Sequence, residues 1–148
     1  MDVECRDAAA SLVAELGLYL EDPGMKLDEN GVCSAVIEGI RFSFFYDSSF
    51  SALFIQALLG NVEDSDIETL LYNNHLWEWT AGGIFGENPD DGLIYFSYRL
   101  DLPLAGGHQP VFLCLLMQNI LGAIEATREN MAQAGDGVHG VPVLVGMA

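Results

Sequence analysis

The segment from Lys26 to Gly39, KLDENGVCSAVIEG, constrains the fold of this chain more than any other part. Two short runs typical of β-strands flank Asp28-Glu29-Asn30-Gly31, in which Asn-Gly supplies the positive φ angles that a tight hairpin needs. The segment has no nucleophile paired with a base, no metal-ligand spacing and no phosphate-binding loop. A hairpin that carries no catalytic, metal-binding or phosphate-binding residues favours a binding scaffold over an enzyme.

The composition predicts one globular domain with a strongly acidic surface. The chain has 148 residues, of which 51% are apolar, and this excludes a disordered protein. Its 22 acidic and 5 basic residues give a net charge of −17. Because such a chain repels phosphate groups, the charge disfavours nucleic acids and anionic membrane surfaces as partners. The acidity favours solubility or a basic partner.

The cysteines and the amino terminus indicate a protein of a reducing compartment. Cys5, Cys33 and Cys114 are widely spaced and odd in number, which is not a disulfide framework. Acidic residues stand where a signal peptide would carry positive charge. The longest uninterrupted apolar run, 111–117, is too short to cross a bilayer. We therefore expect a soluble, unexported protein.

Hydrophobic periodicity predicts an α+β fold, with one mainly antiparallel sheet and helices packed against it. The first helix is expected over Val3–Leu16, and a Ser65–Glu68 capping box begins the second. The third should run from Pro110 to about Ala134. Strands are expected over Met25–Asp28, Val32–Glu38, Ile40–Asp47, Phe50–Leu59, Ile84–Glu87 and Leu93–Leu100. The domain is expected to cover residues 1–134, followed by a flexible, glycine-rich tail over 135–148.

The polar residues form no catalytic or metal-binding constellation in the sequence. The three histidines share no ligand spacing with the cysteines, so neither a zinc site nor any other cofactor is predicted. Asp28-x-Asn30-Gly31 resembles a fragment of a calcium loop, but it lacks the closing Glu and is better explained as a turn. Gly82-Gly83 leaves a helix where a phosphate cradle would enter one.

Aromatic residues are more numerous than one small sheet can bury, which argues for a dimer face, a ligand groove, or both. Ile40–Phe44 alternates apolar and polar residues, as a half-buried strand does. Phe45 breaks the alternation and places an aromatic ring on the face that should be wet.

Three stretches, in this order, resemble the class I chaperones of type III secretion, the Tir chaperone family: LDENGVC…VIEG, LLYNNHLWEWTAGG and IFGENPDDGLIYFSYRLDL. The resemblance extends from Val3 to Ala134. The chain departs from the family pattern where His75 separates Asn74 from Leu76, where Met25 and Leu27 replace paired leucines, and where Glu87-Asn88-Pro89 replaces an Asp-Pro step.

The resemblance implies a small cytoplasmic bacterial homodimer with the order helix, three-strand sheet, helix, two strands, helix. Such chaperones bind the N-terminal segment of secreted effector proteins, keep it soluble and deliver it to an ATPase-driven export gate. They need no nucleotide or other cofactor, and they are not enzymes.

Two sets of site residues follow from the resemblance and from the apolar excess. The residues expected to hold the effector are Leu12, Leu16, Phe42, Phe44, Phe45, Phe54 and Ile55. The residues expected at the dimer interface are Ile67, Leu70, Leu71, Trp77 and Ile84.

Two alternatives remain open from the sequence. One is a small-molecule-binding or enzymatic α+β domain with a dry aromatic pocket, which the lack of convergent polar groups disfavours. The other is the same fold acting outside secretion as a general protein-binding module. A bound peptide would favour the chaperone, and a bound metabolite would favour the pocket.

Overall fold

The computed structural model describes residues 2–60, 82–103 and 112–135, with side-chain environments for 3–60, 82–103 and 112–129. Five strands form one sheet in the order β1-β2-β3-β5-β4, and the β1–β2 and β2–β3 pairs are antiparallel. The elements are α1 (Asp2–Tyr19), β1 (Val32–Ile37), β2 (Ile40–Asp47), β3 (Ala52–Gly60), β4 (Ile84–Glu87), β5 (Ile94–Asp101) and α2 (Phe112–Gly135). No helix in these ranges is long and apolar enough to cross a membrane.

The chain divides into two compact units, one formed by residues 1–58 and 97–117 and the other by 59–96 and 118–148. In the first unit α1 contacts β2. The buried residues of α1 recur at helical spacing, which gives the helix one apolar face. They are Cys5, Ala9, Leu12, Val13 and Leu16.

The second unit contains the tip of the β4–β5 hairpin and most of α2. Phe85 and Phe96 pack edge to face there, with ring centroids 5.2 Å apart. Ile120 and Ile124 of α2 are fully buried. The predicted hairpin is therefore confirmed, with Ile84–Glu87 as its first strand.

The first helix continues beyond its predicted end, because Gly17 does not stop it. A Cβ atom at Gly17 would lie 2.7 Å from the carbonyl oxygen of Asp22 and 2.9 Å from the Cβ of Met25. Glycine is needed here for the close approach of the following loop, which packs back against the helix. The Asp22 N–H donates to the Gly17 carbonyl at 2.7 Å and holds that loop in place.

The predicted strand over Met25–Asp28 is wrong, because the structure assigns no strand there. Its backbone–backbone hydrogen bond to β1 comes from Asp28, whose N–H donates to the Val32 carbonyl at 2.9 Å. The turn after it does form, with Gly31 at φ 78°. The tight hairpin lies later, at Glu38-Gly39, where φ is 52° and 79° and Ile37 pairs with Ile40. Two positive φ angles match the twist of the flanking strands.

The other strand predictions are close to the observed bounds. β2 has the predicted limits, and β3 begins two residues after the predicted Phe50. The second predicted helix, with its Ser65–Glu68 capping box, and the predicted tail after Gly135 lie outside the described residues. The third predicted helix is confirmed as α2.

Candidate functional site

The β1–β2–β3 sheet has two faces of different character, and we call them the core face and the outer face. Along β2, alternate residues are buried, beginning with Ile40, and the residues between them are partly or fully exposed. The registers with β1 and β3 extend this alternation across the sheet. The core face carries Cys33, Ile37, Ile40, Phe42, Phe44, Tyr46, Leu53, Ile55 and Ala57. The outer face carries Val32, Ser34, Val36, Arg41, Ser43, Phe45, Phe54 and Gln56.

A line of apolar side chains crosses the outer face, and we call Val32, Phe45, Phe54 and Phe50 the aromatic row. Val32 lies opposite Phe45, and Phe45 lies opposite Phe54. The rings of Phe45 and Phe54 stack with centroids 5.2 Å apart. Phe50, which is 54% exposed, meets Phe54 edge to face at 6.1 Å. Four neighbouring apolar side chains with solvent access form a ready contact surface for a partner.

Arg99 of β5 lies at the Phe50 end of the aromatic row. Its guanidinium lies over the Phe50 ring, 4.8 Å from the ring centroid. Its Nε donates to Asp101 Oδ1 at 2.7 Å, and the Arg99 side chain is 48% exposed. The planar group is thus fixed on one side by a ring and along one edge by a carboxylate.

A polar row runs beside the aromatic row. Ser34 lies opposite Ser43, and Ser43 lies opposite Gln56. The Gln56 amide Nε2 donates to Ser97 Oγ at 3.4 Å. Small hydroxyl side chains in this row leave the larger rings of the neighbouring row standing above the sheet.

β1 is an edge strand, and part of its outer edge is open. Gly31 C=O accepts from Tyr46 N–H at 2.9 Å, so odd-numbered residues of this segment point their backbone groups at β2. The backbone groups of Val32, Ser34 and Val36 therefore point away from the sheet. Asp28 bonds both groups of Val32, accepting from its N–H through Oδ1 at 3.0 Å and donating to its C=O at 2.9 Å.

Beyond Val32 the edge is free among the described residues, since β1 has no second neighbouring strand in the sheet. Ser34 and Val36 thus offer two N–H and two C=O groups to an added strand. Val36 is also 70% exposed, so the side chain at the open edge is apolar.

The thiols of Cys33 and Cys114 are not activated. Burial raises the pKa of Cys33, and Asp22 and Asp28 raise it further, against a hydrogen bond from the Lys26 backbone. Burial also raises the pKa of Cys114. Both thiols are therefore protonated at neutral pH, the opposite of what a nucleophilic cysteine requires. Within the ranges described, no group of three or more His, Cys, Asp or Glu could hold a metal ion.

The structure separates the seven residues predicted to hold the effector into two groups. Phe45 and Phe54 lie together on the outer face, where a partner can reach them. The other five are buried in the core and expose no surface to a partner unless the core opens: Leu12, Leu16, Phe42, Phe44 and Ile55. The sequence reasoning did not include Val32, Phe50, Val36 or Arg99. The signal available for Phe50 was an aromatic side chain in the short connection between β2 and β3.

The predicted dimer-interface residues lie only partly within the described ranges. Ile84 is on β4, the other edge strand of the sheet, and is 59% exposed. The remaining four lie outside the described residues: Ile67, Leu70, Leu71 and Trp77.

A sequence profile of the Tir chaperone protein (CesT) family matches residues 11–128. The chain belongs to this family. The match covers α1 from Ser11 onward, the whole sheet and most of α2, including every residue of the aromatic row. No curated protein sequence is significantly similar to the chain.

Solved structures of low sequence identity share the fold of this family member. A chain of the HopA1–SchA chaperone–effector complex superposes with a TM-score of 0.62 at 19% identity, covering 84% of this chain and 93% of that one. A chain of the ExsC–ExsE complex gives a TM-score of 0.62 at 19% identity, with 79% and 89% covered. A chain of the ExoT–SpcS complex from Pseudomonas aeruginosa gives 0.58 at 18%, with 80% and 96% covered. The predicted family and α+β fold are confirmed.

Proposed function

We propose that this chain is a type III secretion chaperone that binds the N-terminal segment of a secreted effector and keeps it soluble and ready for export. Membership of the Tir chaperone family supports the class of function. The observation that carries the site is the aromatic row, standing on the outer face beside an open strand edge. The related folds come from complexes, one of them described as a chaperone–effector complex, which agrees with a protein-binding role.

The effector segment binds in extended form at the β1 edge. Backbone groups of the segment pair with Ser34 and Val36, which gives binding that does not depend on the effector sequence. Alternate side chains of the segment turn to the outer face, toward Phe45 and its neighbours. Since an unfolded effector segment exposes apolar side chains, covering them on this surface suppresses aggregation.

The binding of a segment by this surface needs no catalytic group and no cofactor. The buried, protonated thiols of Cys33 and Cys114 fit a passive holding role. The net charge of −17 keeps the loaded chaperone dissolved in the cytoplasm. Release would then take place at the export ATPase, where the segment is drawn away as an extended chain.

The proposed chaperone acts as a homodimer. The interface is formed by the residues predicted for it, Ile67, Leu70, Leu71, Trp77 and Ile84. Ile84 supports this, because an isoleucine that is 59% exposed on an edge strand gains from being covered.

Sedimentation equilibrium tests the dimer. At micromolar concentration the chain should sediment with twice the mass of one chain, and Ile84→Asp should shift it to monomer, because a buried unpaired carboxylate opposes association. Leu115→Asp is the control, since Leu115 is similarly exposed, at 55%, on a different element. A wild-type monomer at micromolar concentration would contradict the proposal.

Effector capture tests the binding site. The tagged chain, expressed in its own cells, should recover a partner identifiable by mass spectrometry, and the partner's N-terminal segment should resist proteolysis in the complex. Phe45→Asp should reduce recovery at least about tenfold, because it places a charge in the aromatic row. Leu115→Asp should recover the partner as wild type does. If Phe45→Asp binds normally with an unchanged circular dichroism spectrum, the site is elsewhere.

A further inference from the structure

The outer face differs in charge from the rest of the molecule. Of the five basic residues in the chain, Arg41 and Arg99 both lie on this face. Asp47 of β2 and Asp101 of β5 lie on the same face as the two arginines. Asp101 accepts from Arg99 at 2.7 Å, and Asp47 accepts from the Ser49 N–H at 2.8 Å. The charges of these two arginines and two aspartates cancel, in a chain with 22 acidic residues.

Arg99 is positioned to bind a carboxylate. Its Nε is occupied by Asp101 and one of its faces by the Phe50 ring, so the guanidinium has a defined orientation. Its two terminal nitrogens, Nη1 and Nη2, make no hydrogen bond to the described residues and lie in a side chain that is 48% exposed. A planar group with two parallel donors and little remaining freedom binds a carboxylate with less entropy loss than a mobile lysine.

We propose that Arg99 gives this surface a preference for effector segments in which an Asp or Glu accompanies the apolar residues. This inference rests on the proposed function. The apolar side chains of the segment cover Phe45 and Phe54, and its carboxylate pairs with the free terminal nitrogens of Arg99, next to Phe50. The net charge of the chain would by itself favour basic segments, but on the described part of this face Arg41 and Arg99 are matched by only two carboxylates, Asp47 and Asp101.

A peptide selection tests the preference, with random peptides in place of the effector. A display library of random 12-residue peptides is panned on the full-length wild-type chain and, in parallel, on Arg99→Gln and Arg128→Gln. Arg128 is an exposed residue of α2, so the control has the same change in net charge as the test variant. Phe45→Asp serves as the variant that removes the surface.

The expected result is a pool from wild type and from Arg128→Gln that is rich in apolar residues and enriched in Asp or Glu. The Arg99→Gln pool should keep the apolar residues and lose the acidic enrichment. For one selected peptide, replacing its Asp by Asn should weaken binding to wild type about three- to fivefold, the range of an exposed ion pair, and should leave binding to Arg99→Gln unchanged. The difference should shrink in 1 M salt.

The results that overturn the proposal are distinct from those that overturn the function. Apolar peptides without acidic enrichment, or with enrichment of Lys and Arg, would reject the role of Arg99 and leave the chaperone surface intact. Equal acidic enrichment on Arg99→Gln would do the same. A wild-type pool with no enrichment at all, or one unaffected by Phe45→Asp, would reject the surface itself and the inference with it.

Discussion

Phe44 and Phe45 are neighbours in β2, yet they belong to opposite faces of the sheet and have different roles. Phe44 is fully buried, opposite Cys33 and Ile55. Phe45 is partly exposed and stacks on Phe54. The same side chain thus fills the core on one face and remains accessible to solvent on the other. The residue type does not distinguish the two positions. The face of the sheet to which the side chain points distinguishes them.

The largest expected difference between the faces is in stability. Phe44→Ala should lower the free energy of unfolding by about 3–5 kcal/mol, because it removes a ring from a closed core and leaves a cavity. Phe45→Ala should cost only about 1 kcal/mol, mainly the lost ring stacking. Urea denaturation followed by circular dichroism measures both. Equal losses would mean that the outer face is as closed as the core.

The rate at which a thiol is alkylated gives a second comparison of the two faces. Cys33, on the core face, should react with iodoacetamide at pH 8 at least about 100-fold more slowly than the introduced thiol of the Phe45→Cys variant, because reaction at Cys33 needs local opening. Mass spectrometry of the labelled peptides gives both rates in one sample. Adding urea should remove the difference. Rapid labelling of Cys33 in the native protein would show that the core face opens readily.

The smallest expected effect concerns the Glu38-Gly39 turn, which joins β1 to β2 and belongs to neither face of the sheet. Glu38 has a φ of 52°, which a glutamate side chain tolerates poorly. Glu38→Asn should stabilise the protein by about 0.5–1 kcal/mol, since asparagine accepts this conformation more readily. Glu29→Asn is the control, with the same charge change at a residue without a positive φ. The effector recovered should be unchanged, and a change in recovery would link turn geometry to the open edge.

The fold was largely predictable, because the strongest patterns were local. The alternation in Ile40–Phe44 correctly predicted β2, and the turn residues of Asn88–Gly92 correctly predicted the β4–β5 hairpin. The predicted strand over Met25–Asp28 was wrong, because a strand needs backbone partners along its length, and in this segment Asp28 alone makes a backbone–backbone hydrogen bond to β1. Sequence periodicity does not reveal which segments find partners.

The site was predictable only in part. The break in alternation at Phe45 correctly indicated an aromatic ring on the outer face. Phe42 and Phe44 were assigned to the same surface, although their even spacing from Ile40 places them in the core. The aromatic row also depends on the β2–β3 register, which brings Phe45 opposite Phe54. Arg99 could not be anticipated, since its contact with Phe50 joins segments far apart in the chain.

Asp28, which precedes β1, has a consequence for storage and expression of the protein. By bonding both backbone groups of Val32, it leaves a free edge over Ser34–Val36. Stacks of strands that grow into fibrils typically use segments of about six or seven residues. An edge this short can accept one client strand but is a poor template for further copies of the same chain. The β1 edge is therefore a poor site for polymerisation of the protein, even though it is open to a client segment.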